Sequence, residues 1–171
     1  MKLTTRQLAV TGILGAVAVL LSVTPLGYIP IPTPAGSATI MHIPVIIGAV
    51  LEGAMVGSFI GLIFGITSFL RGVNFFVDPI VAIIPRVLIG IFAAYSYKLL
   101  NSKTKATVLA AVVGTLTNTF GVLILAVMRG YLVYEVALGI AVGHGIPEVI
   151  VAVLVVGAII KVFRHREGVK N

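Results

Sequence analysis

The chain has 171 residues, a mean hydropathy of +1.19, 59% hydrophobic residues and only 10% charged ones. A water-soluble domain of this size has too little interior to hide that much apolar surface, so the composition describes a polytopic membrane protein built as a single unit over residues 1–171. The net charge of +7 does not point to nucleic acid, because the basic residues flank apolar runs instead of forming a patch interleaved with aromatics. The absence of cysteine excludes disulfides, thiolate metal sites and cysteine nucleophiles.

In chain order, a short basic start (Lys2, Arg6) leads into a first apolar span over Leu8–Val23. It is followed by prolines and not by a small-residue cleavage site, which favours a retained span over a signal peptide. Pro25–Met41 is uncharged, holds four of the eight prolines and cannot be helical throughout. Its apolar character (Tyr28, Ile29, Ile31) suggests a cap lying on the protein.

Ile43–Leu70 is nearly continuously apolar, and Glu52 is its only charge. As one helix it would be about 42 Å long, too long for a bilayer without strong tilt. As two helices with a turn at Glu52–Gly53, the first would have only about ten residues. Further spans are expected near Asp78–Tyr97, Ala106–Met128 and Glu135–Ile160. With two helices in Ile43–Leu70, nine basic residues (Lys2, Arg6, Lys98, Lys103, Lys105, Lys161, Arg164, Arg166 and Lys170) fall on one side. The positive-inside rule therefore favours an all-α, six-transmembrane-helix bundle with a short second helix, the Pro-rich cap loop outside and both termini in the cytoplasm.

Two small-residue patterns stand out. Gly53, Gly57, Gly61 and Gly65 recur every four residues, and Gly12 and Ala16 form a shorter pair beside Thr11 and Gly15. Such stripes admit another backbone closely. Packing within the bundle and docking of a separate membrane subunit are both open.

The polar residues inside the spans are the candidates for function, since ionisable groups are costly in lipid. They are Arg86 after Pro85, Asn118 between two threonines, and His144 and Glu148 four residues apart and so on one helical face. Arg129 and Tyr131 belong to the last outer loop, and Asn74 and Arg71 precede the fourth span. The set can surround a small ligand, or it can be self-satisfied with Arg86 and Glu148 as a buried ion pair. No zinc-protease, serine-hydrolase or phosphate-loop motif is present, so neither an enzyme nor a cofactor is expected. His144 and Glu148 alone lack the further ligands of a zinc site.

Several segments carry a resemblance when taken in order: "RQLAVTGILGAVAVLLSVTPLG", "TIMHIPVIIGAVLEG", "GSFIGLIFGITSFLR", "TNTFG" and "HGIPE". The chain resembles the substrate-binding S component of energy-coupling factor (ECF) vitamin transporters over nearly its whole length. The stretch "PLGYIPIP…TIMHIPVIIGA" is most similar to the pantothenate-specific branch. The resemblance implies a six-helix subunit in the cell membrane that binds one vitamin from outside. It also implies docking to a transmembrane coupling subunit that carries two cytoplasmic ATPases. The family's first-span docking motif, usually Ala-xxx-Ala, corresponds to Gly12 and Ala16. Its pocket corresponds to Arg86, Asn118, His144, Glu148, Arg129, Tyr131 and Asn74. Glu52-Gly53 departs from the Gly-Pro turn usual in the family. Other vitamins or precursors (riboflavin, pyridoxine or hydroxymethylpyrimidine type) and a stand-alone secondary carrier are the alternatives.

Overall fold

A computed structural model describes residues 3–30 and 37–168. Six α-helices are present among them: α1 (Thr5–Val23), α2 (Ile43–Glu52), α3 (Ala54–Arg71), α4 (Pro79–Lys98), α5 (Lys103–Met128) and α6 (Tyr134–Gly168). Between α1 and α2 lie a 3₁₀ turn and two short antiparallel strands, β1 (Tyr28–Pro30) and β2 (Ser37–Thr39), with Tyr28 opposite Thr39. The segment expected to cap the protein holds this 3₁₀ turn and strand pair in its described part; residues 31–36 lie outside the described residues.

Local chemistry explains the boundaries. A capping box starts α1: Thr4 accepts from the Gln7 amide and the Gln7 side chain accepts from the Thr4 amide. Asp78 caps α4 by accepting from the Ile80 amide at 2.9 Å, with Pro79 at the first helical position, where a missing N–H does no harm. The break between α2 and α3 is the single residue Gly53. Its φ of 93° and ψ of −177° belong to a region that only glycine adopts without strain.

Helices α3 and α4 run antiparallel, and the glycines record their register. A Cβ on Gly57 would lie 2.9 Å from the Gly90 Cα, one on Gly61 2.1 Å from the Arg86 carbonyl oxygen, and one on Gly65 2.9 Å from the Ile83 Cα. Position numbers rise along α3 as they fall along α4. The stripe on α3 is thus consumed by α4, which decides its role as packing within the bundle. On α1 the opposite holds. Gly15 packs on Ile63, whereas Gly12 meets nothing within 4 Å and both Gly12 and Ala16 are exposed. This pair faces away from the bundle.

Among the described residues five helices are long and apolar enough to cross a membrane; α2 is not. Its ten residues rise about 15 Å, half of a hydrocarbon core. Eight consecutive residues, Ile43 to Val50, are buried, so α2 is enclosed by the other helices instead of meeting lipid. The short second helix expected from the sequence is thus present, beside five helices of spanning length. Outward faces carry Ile13, Leu20, Leu70, Ile124 and Leu154, all more than half exposed, a surface suited to lipid and not to water.

The two ends of the bundle differ. At one end Arg6 is ion-paired with Glu52 at 2.6 Å, and Arg164 donates to the Tyr97 hydroxyl at 2.6 Å and to Thr107 Oγ1 at 3.0 Å. The opposite end carries the strand pair, a 3₁₀ turn at Asn74–Val77 and the connection between α5 and α6.

Candidate functional site

A cavity of about 960 Å³ opens at this second end. It lies at the upper limit of small-molecule clefts, roughly 300–1,000 Å³. Its walls come from the strand pair (Tyr28, Thr39), the end of α3 (Phe64, Arg71), the 3₁₀ turn (Asn74, Phe76), α4 (Arg86), α5 (Asn118, Thr119) and α6 (His144, Glu148). Arg71, Arg86 and Glu148 are the charged lining residues, so the lining carries two cations and one carboxylate.

Arg86 occupies the buried wall and is only 3% exposed. Its guanidinium lies over the rings of Phe76, at 4.5 Å, and Phe64, at 5.2 Å. One terminal nitrogen donates to the Val81 carbonyl at 2.9 Å. Its Nε has no hydrogen-bond partner among the described residues. Pro85 contributes here, since proline in mid-helix cannot donate to the preceding turn and leaves carbonyls of that turn to other donors. Asn118, on α5, is equally buried, and its Oδ1 also lacks a partner among the described residues. Buried polar atoms are nearly always bonded, so an unpaired donor and an unpaired acceptor on two residues that line one cavity mark that wall as a place where polar groups of the protein are left unsatisfied.

Glu148 is not the ion-pair partner of Arg86. One carboxylate oxygen accepts from the Thr39 amide at 2.7 Å and from Thr39 Oγ1 at 3.2 Å; the other accepts from Thr119 Oγ1 at 2.9 Å. His144 lines the cavity one helical turn before it, and Asn74 and Tyr131 line it from the connecting segments. Asn74 has a φ of 53°, a left-handed conformation that asparagine tolerates better than most residues.

Arg129 stands apart from its expected companions. It is not among the residues lining the cavity; its Nε donates to Asp78 Oδ2 at 2.6 Å. That bond from Arg129 holds the Asp78 carboxyl below the usual carboxylate range and raises the guanidinium in turn. The pair fastens the start of α4 to the end of α5. Arg71, at the rim, instead lies over the Tyr28 ring and donates to its hydroxyl.

Thr39, Phe64, Phe76 and Tyr28 were not legible as site residues, because apolar and hydroxyl side chains are ordinary everywhere in such a chain. His42, which is not a lining residue, was not singled out either. It is fully buried, and its Nε2 lies 3.0 Å from Thr115 Oγ1. Its one signal is position: it is the single ionisable residue between Tyr28 and Glu52.

An up-and-down helical bundle with lipid-suited outer faces and an end-on, largely apolar cavity holding a few polar groups defines a multi-pass membrane protein that binds a small molecule. The chain belongs to the family of substrate-specific components of ECF transporters, whose family model matches residues 6–160. It is 32% identical over 149 residues to the pantothenic acid transporter PanT of Lactococcus lactis subsp. cremoris, a match covering 71% of this chain and 75% of that protein. It is 30% identical over 200 aligned positions to the pantothenate transporter PanT of Leuconostoc mesenteroides subsp. mesenteroides, covering 98% of each chain.

Proposed function

We propose that this protein is the vitamin-binding subunit of an ECF importer in the cell membrane and that its vitamin is pantothenate. The observation that carries the reading is Arg86, a buried guanidinium with an unused Nε on the wall of the cavity. Pantothenate has one carboxylate, two hydroxyls and one amide. The carboxylate matches Arg86, which accepts planar anions in a fork geometry. The hydroxyls and amide match Asn118, whose free Oδ1 needs a donor, together with Asn74, His144 and Tyr131. Phe64 and Phe76 keep water from the Arg86 face and strengthen its attraction for an anion. Arg129 supports the wall through Asp78. The names of the two relatives support the same vitamin.

In the membrane, α2 together with the strand pair makes the second of six crossings. Arg6, Lys98, Lys103, Lys105 and Lys161 belong to the end opposite the cavity, which by the positive-inside rule is cytoplasmic. The cavity then opens outward and both termini lie inside. The exposed Gly12 and Ala16 on α1 form the docking face for a transmembrane coupling subunit, which carries two ATPases. The subunit itself needs no cofactor.

Titration of the purified protein with pantothenate, alongside mass spectrometry of co-purifying small molecules, tests the assignment. Saturable one-to-one binding is expected. Capture of a neutral or aromatic vitamin in place of pantothenate would retain the importer and discard the substrate.

A further inference from the structure

Residues 39–42 are fastened to the bundle by side chains and not by the strand ladder alone. Thr39 presents its amide and hydroxyl to Glu148 on α6, and Glu148 holds Thr119 on α5 with its second oxygen. His42, three residues on, meets Thr115, one helical turn from Thr119 on the same face of α5. Thr39 is also a lining residue, so whatever sets its position sets a wall of the cavity.

Glu148 is 5% exposed, and three donors converge on its two oxygens, none of them cationic. A carboxylate is acceptor-only, and this arrangement engages both oxygens with protein groups, taking three of about four acceptor positions. We propose that Glu148 is a positioning residue: its reach, not its charge, holds β2 as the cavity wall between α5 and α6. Its part in vitamin recognition is indirect, and only that consequence rests on the cavity being the vitamin site.

Reach and charge separate in two conservative variants. Glu148→Gln keeps the length, with its carbonyl facing the Thr39 amide and hydroxyl and its NH₂ donating to Thr119 Oγ1, but it is neutral. Glu148→Asp keeps the charge and withdraws the carboxylate by as much as about 1.5 Å, beyond hydrogen-bond range of Thr39. Amide hydrogen exchange at Thr39 is read in the full-length protein in nanodiscs without vitamin, so a failure of the vitamin assignment leaves this reading intact. In Glu148→Asp, Thr39 exchange is expected to accelerate about tenfold or more, the loss of one charge-assisted bond. In Glu148→Gln the acceleration is smaller, no more than about tenfold and below that of Glu148→Asp, because a neutral bond to the Thr39 amide replaces the charge-assisted one. With pantothenate added, the Asp variant weakens binding more than the Gln variant. Unaltered Thr39 protection in Glu148→Asp, or an equal loss in Glu148→Gln, overturns the proposal. Greater loss of affinity in Gln than in Asp would make Glu148 a direct, charge-dependent ligand contact and would overturn it as well.

Discussion

Replacing Arg86 by glutamine removes the proposed anchor and tests the site directly. In the vitamin-free protein the substitution has opposing consequences. It removes contacts with two aromatic faces, each about 0.5–2 kcal/mol, and a charge-assisted bond to the Val81 carbonyl, about 1.5–3 kcal/mol. It also removes a charge whose burial opposes folding by several kcal/mol. These nearly cancel, and the melting temperature without ligand is expected to move by no more than a few degrees. Binding has no such cancellation. Loss of one partner of a desolvated charged pair costs about 2–5 kcal/mol, a weakening of roughly 30-fold to several thousand-fold. Isothermal titration with pantothenate measures this, and Arg86→Lys, which keeps a charge but not the planar fork, should fall between. Binding by Arg86→Gln within about threefold of the unaltered protein would refute the reasoning and move the anchor to Arg71, the other cation lining the cavity.

Three further outcomes are expected. Gly61→Ala drives a Cβ to 2.1 Å from the Arg86 carbonyl, a backbone atom that cannot rotate aside, and should destabilise the fold by at least the 1–3 kcal/mol typical of overpacking; Gly157→Ala, with nothing within 4 Å, is the matched control and should be neutral or slightly stabilising in the same thermal melt. Gly12→Leu combined with Ala16→Leu should leave pantothenate binding by the purified subunit intact while abolishing uptake in cells, and normal uptake by that folded variant would remove α1 from the docking surface. A cysteine at Asn101, between α4 and α5, should resist an impermeant thiol reagent added to intact cells, and labelling from outside would invert the proposed orientation.

The membrane class, the approximate spans and the break at Gly53 follow from the chain alone, because they depend on local quantities: apolar run length, charge placement and a glycine beside an isolated glutamate. The polar residues of the cavity were visible for a similar reason, since ionisable groups in apolar spans are rare enough to stand out. Which of them share a cavity was a matter of tertiary packing. Arg129 and Arg71 look alike in sequence, yet one is held by Asp78 and the other lines the rim. The glycine stripe on α3 and the pair on α1 follow one spacing rule, and only the position of α4 decides that the first is buried and the second exposed. Arg86 and Glu148 have opposite charges that suggest a pair, but two threonines reach the carboxylate first, one of them 109 residues away along the chain. Hydroxyls and amides carry no periodic or charge signal, and so the partners that decide the role of Glu148 emerge only when the strands meet the helices.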